Sequence, residues 1–172
     1  VGRARDVGDA HALEFILKLA HPRHPFLRVL VLDLVHPGKL PRRIKSQIYK
    51  AGGNDFRTIE AHEDGRDADT EFQLVGREGG HWRIEAIPFT GRTHQIRVHL
   101  LASGFPVVGD ELYGAVAGPA GGKKSSRSQS RLGLRSVYLA YTDPFSKRRV
   151  QIEAPTEEFL REFGFAPTPS ER

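Results

Sequence analysis

The sequence predicts an α+β domain, in which a largely antiparallel or mixed β-sheet is flanked by a few helices. Two pairs of alternating segments carry this prediction. Residues 70–75 and 81–87 alternate between apolar and polar side chains on either side of the connection "REGG", which is typical of a hairpin. Residues 137–141 and 150–154 flank a turn at Asp143-Pro144 and predict a second hairpin. Helical spacing is confined to short segments.

The N-terminal part is predicted to hold one helix and one buried strand. Residues 9–20 place apolar side chains at helical spacing, and His21-Pro22 ends them. The β-branched and leucine-rich run "FLRVLVLDLV", residues 26–35, is closed by Pro37-Gly38 and indicates a buried strand. Residues 39–57 are basic and irregular, and only a turn at residues 52–54 is predicted there.

The C-terminal part is predicted to contain two short helices and a basic loop. Thr93 is the expected N-cap of a helix that begins at His94 and ends near Ser103, with Gly104 as its stop. Residues 106–108 are expected to be extended, and residues 115–131, rich in Gly and Ser, form a flexible loop. Thr156 caps a final short helix that Gly164 ends, and residues 167–172 are a disordered tail.

Composition restricts the class of protein. A chain of 172 residues with 38% hydrophobic content can bury the core of one domain. No run approaches the roughly 18 to 20 apolar residues of a membrane span, and no leader pattern opens the chain. We therefore expect a cytoplasmic protein that does not bind membranes. We also expect a monomer. The net charge of +5 favours a polyanionic partner such as nucleic acid. Without cysteine there is no disulfide, thiolate zinc site or cysteine nucleophile.

The basic mouth of the predicted helix at residue 94 allows several interpretations. A metal site would use His94 and His99, but five residues apart on a helix they point in different directions and no carboxylate cluster joins them. A DNA recognition helix lacks the preceding short helix and turn. A core helix with buried aliphatic residues explains the periodicity, yet not the glycine and arginine at the mouth. Gly91 would let backbone approach a ligand, and Arg92 would attract a phosphate or carboxylate.

The stretch "TGRTHQIRVHLLASGFPVVGDELYG", residues 90–114, resembles the signature of RluA-type pseudouridine synthases, which isomerise uridine to pseudouridine in ribosomal or transfer RNA. Residues 64–75 and 131–155 resemble the family's preceding strand and its closing hairpin. The resemblance implies that residues 1–166 form the larger, C-terminal part of a pseudouridine synthase catalytic domain, with RNA as partner and no cofactor or metal.

The resemblance also implies roles for individual residues. Arg97 matches the arginine that orients the catalytic aspartate, and Leu134 the apolar residue behind the uracil ring, although Leu134 equally fits an ordinary core strand. Asp110 and Tyr113 match positions that we interpret as structural. The residues that match the family's pocket-shaping helix start are Gly91, Arg92, Thr93, His94 and Gln95. The residues that match phosphate-contacting cations, and that equally fit a solvated flexible loop, are Lys123, Lys124, Arg127 and Arg131.

The nucleophile itself has no match. The family's aspartate lies in a pattern like His-Arg-Leu-Asp-x-x-Thr-Ser-Gly, and Asp33 in "VLVLDLVHPG" has neither flank. The chain begins at Val1 and contains no methionine, so we expect it to be a piece of a longer protein whose aspartate motif lies upstream. The 172 residues alone are therefore expected to be inactive. A non-catalytic RNA-binding or ribosome-associated relative on the same fold is the alternative.

Two more positions depart from the family pattern. Val31 stands at the position of the family tyrosine if residues 30–34 align with its strand, and Tyr49 is the other candidate for that role. Residues 134–136 read Leu-Arg-Ser where the family commonly shows Leu-His-Ala, so Arg135 puts a cation where an uncharged or switchable group is usual.

Overall fold

A computed structural model describes residues 27–34, 39–53, 55–59, 62–78, 81–113, 131–143 and 145–165. Three predictions lie outside the described residues: the helix over residues 9–20, the loop over residues 115–130, and the tail over residues 167–172. None of the helices in the described part of the chain is long and apolar enough to cross a bilayer.

Seven strands form one antiparallel sheet. The strands are β1 (Leu27–Leu34), β2 (Arg43–Gly52), β3 (Asp55–Ile59), β4 (Arg66–Glu78), β5 (His81–Pro88), β6 (Leu134–Thr142) and β7 (Arg149–Glu153). Their order across the sheet is β3-β2-β4-β5-β1-β6-β7, and each neighbouring pair is antiparallel. Among the described residues, two short helices accompany the sheet, α1 (Gln95–Ala102) and α2 (Glu157–Glu162). The α+β prediction is confirmed.

Strand β1 lies inside the sheet, as its apolar run predicts. It pairs with β5 on one side and with β6 on the other. Val31 is opposite Ile84 in β5 and opposite Leu134 in β6, so these three side chains share a face of the sheet. Val31 and Ile84 are fully buried. Both predicted hairpins, β4–β5 and β6–β7, are present.

Strands β2 and β3 are the part of the sheet that the sequence pattern did not predict. Strand β2 alternates cations on one face with partly buried side chains on the other, and the cations Arg43 and Lys45 pair with Asp69 of β4. Cross-strand charge pairs of this kind support a strand without giving it an apolar stripe. The predicted turn is present at Gly52 and Gly53, which have φ of 156° and 49°.

Helix α1 packs on the sheet face that carries Val31. Ile96 and Leu100 join a core cluster with Val29, Val31 and other residues of β1, β4 and β5. Gly104 has φ of 81°, and the backbone N–H of Phe105 donates to the Leu100 carbonyl at 2.8 Å, so Gly104 ends the helix as predicted.

The predicted N-cap of α1 is wrong. The capping position is held by His94, not Thr93, and His94 has a left-handed backbone (φ 55°, ψ 17°) with no side-chain capping hydrogen bond. The helix start is instead held by Gln95, whose side-chain Oε1 accepts from the backbone N–H of Arg92 at 3.0 Å. This bond orders the turn ahead of the helix and does not cap it, because the Arg92 N–H precedes the helical residues.

Helix α2 forms a second, smaller cluster on the other face of β6. Phe159, Leu160 and Phe165 are buried there and pack with Val137. Thr156 occupies the predicted N-cap position but makes no side-chain capping hydrogen bond. Gly164 ends the helix with φ of 80°.

Candidate active site

A bidentate ion pair between α1 and the loop that follows it is the centre of the candidate site. Arg97 Nε donates to Asp110 Oδ2 and Arg97 Nη2 donates to Asp110 Oδ1, both at 2.7 Å. The Asp110 side chain is fully buried, and that of Arg97 is 16% exposed. A paired, nearly buried guanidinium is held in one orientation.

Asp110 is saturated by its partners. Its Oδ1 also accepts the backbone N–H groups of Leu112 and Tyr113, at 3.1 and 3.0 Å. Burial opposes ionisation, but the hydrogen bonds from Arg97 and from the Tyr113 backbone outweigh it and lower the pKa of Asp110. With both oxygens engaged and no exposed surface, Asp110 is an anchor for Arg97 and cannot serve as a nucleophile. This geometry agrees with our interpretation of Asp110 as structural.

Tyr113 lies beneath Arg97 and links it to His94. The Arg97 guanidinium carbon is 4.8 Å from the centre of the Tyr113 ring. The Tyr113 hydroxyl accepts the backbone N–H of Phe56 in β3 at 3.2 Å and lies 2.9 Å from His94 Nδ1. Burial and the charge of Arg97 lower the pKa of His94.

A buried polar network fastens α1 to the sheet. Gln95 Nε2 donates to the Asp69 carbonyl (3.0 Å) and to Thr70 Oγ1 (2.9 Å), while Gln95 Oε1 accepts from Thr90 Oγ1 (2.7 Å). One turn later, His99 Nδ1 lies 2.9 Å from Thr70 Oγ1, and its Nε2 lies 3.1 Å from Ser46 Oγ in β2. Both helix side chains are buried. Gln95 therefore holds the helix mouth in place and has no polar atom left for RNA.

His99 is neutral in this network. Its side chain has no exposed surface, and burial lowers its pKa to about 4, against the weaker opposing effect of Asp69. The sequence analysis weighed His99 only as a metal ligand. The signal for its structural role was the spacing: Gln95 and His99 are polar residues at i and i+4 on the buried side of an otherwise aliphatic helix.

Leu134 begins β6 and packs against the main core cluster, on the same sheet face as α1. Its register partner Val31 makes this part of the face aliphatic. Arg135 points to the opposite face: its guanidinium lies 5.9 Å from the Phe159 ring of α2, and its Nε is buried without a hydrogen-bond acceptor. Alternation along β6 therefore turns Arg135 away from Leu134 and from the face that carries α1.

Tyr49 is not brought together with Arg97. In β2 it follows Ile48, and it pairs with Arg57 of β3 on the face opposite α1. Its ring stacks on His62 with centroids 4.3 Å apart and an angle of 14°.

The predicted RNA-contacting residues other than Gln95 lie in three different places. Gly91, Arg92, Thr93 and His94 form the half-buried turn that enters α1, and Arg92 Nε donates to the Asp67 carbonyl at 2.8 Å. Arg131 is exposed and ion-paired with Glu162 of α2. Lys123, Lys124 and Arg127 lie outside the described residues.

A groove lined by residues of β4, β5 and the segment before β2 lies away from the ion pair of Arg97. It has a volume of about 670 Å³, and neither Arg97 nor Leu134 lines it. Its walls carry three cations, Lys39, Arg42 and Arg77, above Phe72 and Trp82. The described residues contain no group of His, Cys, Asp and Glu that could hold a metal ion.

Comparison with known families agrees with the fold and the signature. The family described as RNA pseudouridylate synthase matches residues 14–102, just over half of the chain. The chain therefore belongs to this family, and its relatives place it with the RluA-type members.

Three curated bacterial proteins illustrate the relationship. An uncharacterised RNA pseudouridine synthase of Chloroflexus aurantiacus is 40% identical over 54% of the chain and 27% of its own length. The dual-specificity RNA pseudouridine synthase RluA of Yersinia pestis is 40% identical over 48% of the chain and 37% of its own length. The ribosomal large subunit pseudouridine synthase D of Xylella fastidiosa is 34% identical over 91% of the chain and 47% of its own length. The chain spans less than half of each of these relatives.

Solved structures show the same fold. The human RNA pseudouridylate synthase domain containing 1 superposes with a TM-score of 0.58 at 20% identity, over 84% of this chain and 68% of that one. The human protein named RNA pseudouridylate synthase domain containing 4 superposes with a TM-score of 0.54 at 15% identity, over 80% of this chain and 60% of that one.

Proposed function

We propose that the chain belongs to an RNA pseudouridine synthase and supplies the arginine and the apolar wall of its active site. The supporting observation is the geometry of Arg97 within the signature. Asp110 engages Nε and one N–H of Nη2, which leaves the Nη1 hydrogens and the second Nη2 hydrogen unused by it. A guanidinium fixed on one edge and open on the other suits the task of aiming a second carboxylate.

The proposed reaction isomerises uridine in RNA. The nucleotide is flipped out of its stack, at a cost of a few kcal/mol. An aspartate attacks the sugar carbon as the N-glycosidic bond breaks, and the uracil rotates. C5 then bonds to the same carbon and displaces the carboxylate, which is regenerated, and C5 loses its proton while N1 ends protonated. Arg97 keeps the aspartate charged and oriented, and Leu134 lies behind the ring. Because Asp110 is saturated, the nucleophile is a different carboxylate.

Neither the structure nor the pattern requires a cofactor or metal in this proposal. We infer that ribosomal or transfer RNA is the substrate and that cations around the site hold its phosphates without sequence preference. Arg92 lies half-buried at the start of the helix. The sequence adds three further cations, Lys123, Lys124 and Arg127.

Tritium release from RNA carrying C5-tritiated uridine tests the proposal. The protein is expressed from its complete reading frame and compared with the 172 residues alone. We expect release from the complete protein on ribosomal or transfer RNA, and none from the 172 residues, which lack the aspartate pattern. Tight RNA binding without any release by the complete protein would contradict the proposal and establish the non-catalytic alternative.

A further inference from the structure

Tyr113 contacts three parts of the candidate site, although the family resemblance suggests only a structural role for it. It is buried, with 3% of its surface exposed. Its backbone N–H holds Asp110, its ring supports Arg97, and its hydroxyl lies between Phe56 and His94. A tyrosine placed in this way can transmit order to both Arg97 and His94.

The direction of the bond from the Phe56 backbone is fixed, and it leaves the hydroxyl hydrogen of Tyr113 available for a second partner. The backbone N–H of Phe56 can only donate, so the Tyr113 oxygen accepts it. The hydroxyl then has one hydrogen of its own, and His94 Nδ1 at 2.9 Å is the partner that the described residues offer. When Nδ1 accepts this hydrogen bond, the imidazole proton must lie on Nε2.

The backbone of His94 is strained in a way that fits a functional position. Its φ of 55° and ψ of 17° lie in the left-handed region, which glycine and asparagine tolerate better than histidine. The ring is held edge-on by Phe56, with centroids 5.4 Å apart at 80°, and by Tyr113, with centroids 5.6 Å apart at 78°. Strain of this kind persists where the surroundings determine a side-chain position.

In the tautomer that accepts the Tyr113 hydrogen on Nδ1, the Nε2–H of His94 is an unused donor. Among the described residues no acceptor is found for it, and Nε2 is not one of the buried atoms that lack a partner. The groups that face the ring are Phe56 and Tyr113 by contact and Arg97 and Asp110 by charge. A neutral donor beside a fixed guanidinium at a helix mouth is suited to an acceptor oxygen of a polyanion.

We propose that Tyr113 is a positioning residue that fixes His94 as its Nε2–H tautomer, and that His94 donates this hydrogen bond to an oxygen of the RNA beside Arg97. The inference rests on the proposed function, since it assumes that RNA is the ligand. It adds a specific donor and the residue that orients it.

The tautomer is tested directly by nitrogen-detected NMR of the imidazole rings, assigned with His94→Asn. We expect a pyridine-type Nδ1 and a pyrrole-type Nε2 for His94 in the wild type, and a mixture of tautomers in Tyr113→Phe. We also expect kcat/KM to fall about tenfold in Tyr113→Phe, the usual effect of one lost hydrogen bond near 1.4 kcal/mol. A pyrrole-type Nδ1 in the wild type would overturn the proposal, and this readout does not depend on activity.

The substitution His94→Gly distinguishes an effect on RNA binding from an effect on protein stability. His94→Gly relieves the left-handed backbone but removes the donor, so we expect an equal or higher melting temperature together with roughly tenfold weaker RNA binding. His94→Asn tolerates the same backbone and keeps an acceptor and a donor, so it should recover part of the loss. Lys147 has φ of 57° in the β6–β7 turn, and Lys147→Gly is the matched control, with relieved strain and unchanged RNA affinity.

The source of the acceptor oxygen is resolved with two oligonucleotides that span the modified uridine, one intact and one abasic at that nucleotide. A loss in His94→Gly that persists on the abasic RNA indicates a phosphate oxygen, and a loss confined to the intact RNA indicates a uracil carbonyl. Equal affinity of His94→Gly and wild type for both would overturn the inference alone. Absence of turnover in the wild type would instead refute the proposed function.

Discussion

Arg97 and Asp110 form a two-pronged ion pair, with both N–H···O distances at 2.7 Å, that ties the signature helix to the loop behind it. The ion pair distinguishes a structural anchor, Asp110, from a candidate active-site residue, Arg97, within one sequence motif. Both carboxylate oxygens of Asp110 are engaged, so this residue anchors Arg97. Arg97 keeps N–H groups that Asp110 does not use, so its guanidinium is fixed in place and can still bind a second partner. The account of the site follows from this asymmetry.

Removing the Asp110 charge should destabilise the protein strongly. In Asp110→Asn the nearly buried guanidinium loses its counter-charge, and loss of one partner of a buried pair costs about 3 to 5 kcal/mol. Chemical denaturation monitored by circular dichroism measures the free energy of unfolding. Asp143→Asn is the control, because the exposed Asp143 also caps a turn, through Phe145 and Ser146, and its side-chain hydrogen bonds there involve no arginine. Equal, small losses in both variants would show that the pair contributes little.

Stability should fall in mild acid because of His99. Its pKa is about 4 in the folded protein and near 6.5 when unfolded, so protonation favours the unfolded chain. The contribution of neutral His99 is complete above pH 6.5 and declines between pH 6.5 and 4, by about 3 kcal/mol in total. Denaturation midpoints measured across this range give the slope. In His99→Gln the slope attributable to this residue should vanish, and an unchanged profile would place the acid sensitivity elsewhere.

Gly104 should not tolerate a side chain. Its φ of 81° lies in the left-handed region, and no heavy atom lies within 4 Å of a Cβ placed there, so the cost of Gly104→Ala is conformational. We expect a loss of roughly 1 to 2 kcal/mol in the free energy of unfolding. Ala102→Ser, at an exposed position two residues earlier, should cost only a few tenths of a kcal/mol. A Gly104→Ala variant as stable as the wild type would mean that the helix end can rearrange.

Tyr49 should be dispensable for catalysis. Because it stacks on His62 on the sheet face opposite α1, Tyr49→Phe should leave the rate of tritium release within about twofold of the wild type. The measurement uses the complete protein at saturating RNA. A loss of a hundredfold or more would return Tyr49 to the candidate site and require a rearranged β2.

The fold was predictable where side chains alternate or repeat with one clear period. The hairpins β4–β5 and β6–β7, the buried strand β1 and the glycine end of α1 all have such local signals. Strands β2 and β3 lack them, because their stability comes from charges such as Arg43 that pair with a strand distant in sequence. Long-range pairing of this kind is not visible in a local pattern.

The site was predictable as a motif but not as a set of contacts. The signature indicated Arg97 and Leu134, and the structure places both on the α1 side of the sheet. It could not show that Gln95 faces inward or that Arg135 turns away, since both depend on which side of an element meets the core. The left-handed backbone of His94 was not predictable either, because residues other than glycine rarely adopt this conformation and no glycine marks the position.

The central claim is that Arg97 acts in the chemical step and not in RNA affinity. Tritium release and RNA affinity are measured for the complete protein carrying Arg97→Ala, with Arg92→Ala from the same signature as the control and folding checked by circular dichroism. The account predicts no detectable release by Arg97→Ala and an RNA dissociation constant within about threefold of the wild type, while Arg92→Ala weakens binding but still turns over. Release at the wild-type rate by a folded Arg97→Ala protein would contradict it.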